Sequence, residues 1–238
     1  MFLMGQFRHY RSHPLTGILA ATGVSPLADS TGPLERLRER LVQLGYHAPV
    51  HTSFLGFTRG TPAERLSQCL EATDDGGPLA TALRLLSIGV PVPSVAATES
   101  LGAELVTALI ERGLLKAEGD RIRAAFAIAF VGEMAAAQDF TAFAEQDEQD
   151  DLVTPVAGST RILSLFTVPP SSGRGRVLEI GTGQGLPVVT AAAWAKSALG
   201  TDISTRALIC ARLTAELNGR TNIQWRQGSL FDVLDPGN

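Results

Sequence analysis

The sequence predicts an α/β protein in two parts: a mainly helical N-terminal region closed by a β-hairpin, then alternating short apolar strands and helices. Three observations carry that prediction. The stretch 31–131 contains leucine-striped segments punctuated by Pro and Gly, ending in an apolar–turn–alternating pattern. After an acidic run, "RVLEI", "SALGTDI" and "NIQWRQG" alternate with Ala- and Leu-rich helical stretches, the pattern of a parallel sheet with right-handed crossovers. Between the first strand and its helix stands "VLEIGTGQG", a glycine-rich turn of the kind that lets a ligand lie against the backbone. Composition agrees with an ordinary globular chain, 45% apolar and 18% charged over 238 residues.

The boundaries follow from composition. Residues 1–30 lack periodicity and are read as an arm, 31–143 as a helical accessory domain, 144–152 as an acidic linker around "AEQDEQDD", and 153–238 as the ligand-binding domain. The first helix is "TGPLERLRERLVQLG", with Thr31 as cap, Pro33 in the first turn, Leu34, Leu37, Leu41 and Leu44 at helical spacing, and Gly45 as stop. "TPAERLSQCLE" starts the second with Thr61, Pro62 and a reciprocal Glu64, a capping box. His47 and His51 have the spacing of a helical metal pair, but Pro49 between them resists that helix, so a loop and no metal site are expected.

Residues 79–131 read as one unit. "LATALRLLSIG" is a helix ending at Gly89, "SLGAELVTALIERG" a capped helix striped by Leu105, Leu109 and Ile110, and "LLKAEGDRIRAAF" a hairpin turning at Glu118-Gly119-Asp120. Helices followed by such a hairpin resemble a winged helix. Five basic residues face five acidic ones in this unit, and the would-be recognition helix carries Glu104 and Glu111 against Arg112. Such a face gains little from phosphates, so a packing or substrate-positioning role is expected rather than DNA binding.

Charge and cysteine usage bound the setting. A net charge of −4 argues against a chain held to nucleic acid by bulk electrostatics. Two cysteines, Cys69 and Cys210, lie far apart, and the N-terminus has Arg and His where an export signal needs an apolar core. No apolar run approaches membrane-spanning length. A cytoplasmic protein without a membrane partner is the expectation.

The glycine spacing selects among nucleotides. A dinucleotide fingerprint needs a third glycine at 186, which is Leu, and no Lys follows the loop as a phosphate-cradling P-loop requires. Instead Gly181, Gly183 and Gly185 alternate, and Glu179 stands two residues before the first. A carboxylate at the strand end suits a ligand with an ammonium group. Asp202 ends the second strand, where an acid accepts hydrogen bonds from ribose hydroxyls.

Together these residues resemble the class I S-adenosylmethionine-dependent methyltransferases, whose first motif is a strand, an acid and a G-x-G-x-G loop on a Rossmann-like sheet. The resemblance implies S-adenosyl-L-methionine as cofactor, with Glu179 organising the loop and the methionine amine. It implies that Gly181, Thr182 and Gly183 pass under the methionine moiety, with Gly185 closing the motif. Asp202 would hold the ribose, Ile203 would pack on the adenine, and Ser229 and Leu230 of "GSLF" would edge it, although Asp is the commoner residue after that Gly. "TDISTRALICARLTAELNG", "GSLFDVL" and the preceding "TPVAGSTRILSLFTVP" are similar to the small-domain branch that methylates release-factor glutamine or ribosomal-RNA guanine. The region 31–131 resembles the N-terminal part of actinobacterial members.

That branch positions its target nitrogen with an Asn/Asp-Pro-Pro-Tyr/Phe loop after the fourth strand, and no such tetrapeptide occurs here; the lone Pro-Pro, Pro169-Pro170, precedes the glycine loop. Three strands of the implied seven are present, so the sheet is expected to be the first half of a methyltransferase fold, truncated or completed by another chain or a swapped dimer. Catalytic residues are unassigned. The leading expectation is methyl transfer to a nitrogen of RNA or protein. Alternatives are a small-molecule methyltransferase of a biosynthetic pathway, with the N-terminal unit serving dimerisation or as a substrate lid, and a non-catalytic S-adenosylmethionine-binding fragment.

Overall fold

The computed structural model describes residues 32–48, 58–140, 152–153, 155–171 and 175–232. The arm 1–30, the cap Thr31, His51 and the acidic run 144–151 lie outside them. The described chain is a mixed α/β structure with two small antiparallel sheets and one parallel sheet.

Helix α1 (Pro33–Gln43) begins at Gly32, with Pro33 in the first position, and buries Leu34, Leu37 and Leu41 along one face. Gly45 follows with φ +81°, the left-handed conformation that ends the helix. Helix α2 (Pro62–Glu71) carries the expected capping box: the Thr61 hydroxyl accepts from the Glu64 amide and Glu64 Oε2 accepts from the Thr61 amide at 2.8 Å. Its Leu66 and Cys69 pack with Ile88.

Helix α3 (Pro78–Leu83) continues as a π-helical turn, Arg84–Ile88, to Gly89. Gly89 is required twice, by its φ of +81° and by the Phe140 ring, which a Cβ would meet at 2.7 Å. Ser100 does not cap a helix; it closes an additional one, α4 (Ser94–Leu101), and donates its hydroxyl to the Pro78 carbonyl at 2.7 Å. Gly102, at φ 92° and ψ 139°, breaks the chain, and α5 (Ala103–Glu111) starts after it, burying Leu105, Val106 and Leu109. Ile110 is only partly buried against that core.

The short β1 (Val92–Pro93), β2 (Leu115–Glu118) and β3 (Arg121–Ala124) form an antiparallel sheet in the order β1-β3-β2. The β2–β3 hairpin has the expected turn, pairing Glu118 with Arg121. A second hairpin, β4 (Ala127–Val131) and β5 (Met134–Gln138), carries the unit past residue 131. Its Ala-rich strands are buried on both faces, so they lack the alternation that marks a half-exposed strand.

Past residue 152 come α6 (Gly158–Phe166), then β6 (Arg176–Ile180), α7 (Leu186–Ala191), β7 (Ser197–Asp202), α8 (Thr205–Leu217) and β8 (Ile223–Gln227). The three strands are parallel, in the order β6-β7-β8. Helix α7 is shorter than its Ala-rich sequence suggests; the chain turns at 192–194, where the Asn222 side-chain amide donates to the carbonyls of Ala192 and Ala195. Ser204 caps α8 as expected, its hydroxyl oxygen accepting from the Ala207 amide.

Helix α8 joins the two parts. Ile209, Leu213 and Leu217 enter the same apolar core as α1, α5 and β4. Its polar side chains close the edge of β5: Thr214 Oγ1 accepts from the Ala137 amide, while Asn218 accepts from the Ala135 amide and donates to its carbonyl. Arg206 grips Asp139 through two 2.7 Å hydrogen bonds, and Asp139 also accepts from the Val153 amide at 2.8 Å. No described helix is long and apolar enough to cross a membrane.

Candidate functional site

Glu179 is the last residue but one of β6 and Asp202 the last of β7, and parallel pairing, with Ile180 opposite Thr201, brings the two acids out at the same end of the sheet. At that end a cleft of about 570 Å³ opens. Its floor is Glu179, Gly181, Thr182, Gly183 and Asp202, and Gln184 and Pro187 follow along the loop. One wall is the start of α8 (Ser204, Ala207); another is Leu152, Val153 and α6 through Ser159, Thr160 and Leu163.

The loop is tightly wired. Thr182 donates its hydroxyl to Glu179 Oε2 at 2.6 Å, and the Val188 amide donates to the same oxygen at 3.2 Å. Asp202 accepts from the Gly183 amide on one oxygen and from the Ser204 amide on the other, both at 2.9 Å. The Thr182 amide donates to the Thr201 carbonyl and the Gly185 amide to the Thr182 carbonyl. Two carboxylates thus shape the turn from within.

The three glycines divide by role. Gly181 and Gly183 have φ of +68° and +54°, and a Cβ on either would meet nothing within 4 Å, so both present bare backbone to open space. Gly185 also has positive φ, but a Cβ there would strike Ala211 of α8 at 2.8 Å, so this glycine serves packing and does not line the cleft. Gly200 lets the Trp225 ring lie on β7 in the same way.

Burial pushes the Glu179 carboxyl up to about 7, with the Asp202 charge adding a little; its hydrogen bonds from Thr182 and Val188 oppose the shift. No Lys or Arg lines the cleft among the described residues. The arrangement favours a ligand with positive charge and hydroxyl donors, and disfavours a pyrophosphate.

The cleft brings together Glu179, Gly181, Thr182, Gly183 and Asp202 of the residues named from sequence. Ile203, Ser229 and Leu230 do not line it; all three are exposed, Leu230 at φ +45°. They sit at the same end of the sheet, since Asp202 pairs with Gln227 and its carbonyl accepts from the Gly228 amide. Sequence reasoning missed Gln184, which is 5% exposed with an Nε2 that has no hydrogen-bond partner. The variable position of a G-x-G-x-G loop carries no signal by itself, and only the cleft makes this one visible. Among the described residues no cluster of three or more His, Cys, Asp or Glu could hold a metal ion. His47 is exposed, and Cys69 and Cys210 are both buried free thiols.

Residues 59–125 match a family described as a domain of unknown function, DUF7059. That span runs from the approach to α2 to the end of β3 and contributes nothing to the cleft. No curated protein matches the chain.

Proposed function

We propose that this chain carries the cofactor site of an S-adenosylmethionine-dependent methyltransferase, on a Rossmann-like sheet with a winged-helix-like N-terminal region. The observation that carries the reading is one cleft holding two strand-end carboxylates, an open glycine backbone and, among the described residues, no basic side chain. S-adenosylmethionine fits that donor set: it presents an ammonium, ribose hydroxyls and a cationic sulfonium, and no phosphate. The bare faces of Gly181 and Gly183 leave room for a ligand chain to lie directly on the loop.

In this reading Glu179 pairs with the ammonium, and the positive charge draws its carboxyl down from near 7 into the ionised form. Thr182 holds that carboxylate in place through its hydroxyl. Asp202 keeps a lone pair on each oxygen for the ribose hydroxyls beyond the Gly183 and Ser204 amides it already accepts. Ile203, Ser229 and Leu230, exposed at the same end of the sheet, would take the adenine. When bound, the cofactor supplies an electrophilic methyl group; the chain's own residues fix its orientation.

The acceptor is a nitrogen of RNA or protein. The second reading, a small-molecule acceptor, is favoured by the apolar Leu152, Val153 and Leu163 along one wall of the cleft and by the balanced charge of 79–131, which offers phosphates little. Calorimetric titration with S-adenosylhomocysteine tests the common core. The wild-type chain should bind and Asp202→Ala should bind much more weakly; no binding by the wild-type chain sinks both readings.

A further inference from the structure

We infer that Asp139, with Gln138 beside it, is a positioning residue for the cleft: from outside it, Asp139 fixes two walls relative to each other and so sets how tightly a ligand is held. The ligand half of this inference rests on the S-adenosylmethionine reading above. Both residues belong to the end of the N-terminal hairpin, Gln138 as the last residue of β5 and Asp139 directly after it. No described residue before Leu152 lines the cleft, and both side chains are buried, Asp139 at 3% and Gln138 at 8% exposure.

Their partners are the walls themselves. Asp139 Oδ2 accepts from Arg206 Nε at 2.7 Å and from the Val153 amide at 2.8 Å, and Oδ1 accepts from Arg206 Nη2 at 2.7 Å. Val153 belongs to one wall; Arg206 lies in the first turn of α8 between Ser204 and Ala207, which form the other. Val153 and Ala207 also meet in a small apolar cluster with Cys210. Gln138 Oε1 takes the Val156 amide at 2.9 Å, two residues before α6. The helix that follows has little hold of its own. Ser164 is its one buried residue, and that hydroxyl donates to Thr160 within the same helix. Without the ties to the hairpin, a ligand has to order this wall as it binds, and the cost of that ordering lowers affinity.

The test is calorimetric titration with S-adenosylhomocysteine on the 238-residue chain, at a temperature where circular dichroism shows each variant folded. Asp139→Asn and Gln138→Met should each weaken binding by about 10-fold, with faster deuterium exchange at the Val153 and Val156 amides respectively. Gln138→Glu keeps an oxygen for the Val156 amide and should bind within about 3-fold of wild type. Leu66→Ala, which opens a buried cluster that α8 does not enter, should lower the melting temperature yet leave the affinity unchanged, a separation that a merely structural role for Asp139 does not produce. Wild-type affinity in Asp139→Asn or in Gln138→Met, or an equal loss in Leu66→Ala, overturns the assignment while the cofactor reading stands. A wild-type chain that does not bind overturns the cofactor reading and this inference with it.

Discussion

Strands β4 and β6 are both five residues long and both carry apolar sequences, yet they live in different surroundings. In β4 the side chains from Ala127 to Phe130 are buried, and the partner strand β5 has its outer edge closed by Thr214 and Asn218 of α8. In β6 no residue is fully buried: Leu178 is 43% exposed, and among the described residues the strand pairs with β7 alone. Ile162, Leu165, Phe166 and Val168, on α6 and just after it, are exposed as well. The contrast teaches where rigidity comes from here. The N-terminal hairpin is a finished structural unit, while the strand that delivers the glycine loop is held chiefly by its ladder to β7 and by its end residues.

That contrast can be broken most sharply in the hairpin. Ile128→Ala empties a site that is 0% exposed and should cost about 2–5 kcal/mol in urea unfolding, through lost transfer energy and the cavity left behind. Next comes Asp139→Asn, which removes the charge held by Arg206 and weakens the Val153 tie at the cleft wall. Because Arg206 is 34% exposed and can turn to water, the loss should fall near 2 kcal/mol, below that of a fully buried pair. A chain as stable as wild type would show that the ion pair is not what fixes the wall.

A third effect is set by protons. Glu179 in the folded chain titrates near 7 against an ordinary 4.5, so the native state retains a proton that the unfolded state has already released. Stability from this group is therefore complete below about 4.5 and declines as pH rises towards 7, and Glu179→Gln should flatten that decline. Binding runs the other way. An ammonium ligand needs the ionised form, so the affinity for S-adenosylhomocysteine should drop about tenfold between pH 8 and pH 6 and level off above 8. The smallest change is expected at the open strand: Leu178→Ala should cost about 1 kcal/mol or less, since much of that side chain meets water already. A loss as large as that of Ile128→Ala would remove the distinction between the two strands.

How much of this was legible depends on how local the signal is. Helix α8 could be read to within a residue because Ser204 caps it and Gly219 follows it, and β6, β7 and β8 because short apolar runs between glycines have few alternatives. The two acids of the cleft followed from their places at strand ends. The β4–β5 hairpin was obscured because burial on both faces erases alternation, and α4 because Gly102 looked like part of a helix rather than its break. Gly181 and Gly185 are identical letters in one motif, yet one faces open space and the other faces Ala211; no spacing rule separates them. Thr214 and Asn218 carry no local signal of their role, which depends on a strand some eighty residues earlier.

Helix α8 begins at the cleft with Ala207 and ends at the hairpin with Asn218, so one rod belongs to both. Its consequence is cooperativity. Cutting the backbone within 141–151 should leave two fragments that travel together and melt in one transition, because the helix on one fragment completes the core of the other. By the same linkage, a ligand seated against the first turn of α8 should slow amide exchange in the β4–β5 hairpin as well as in the strands beneath it.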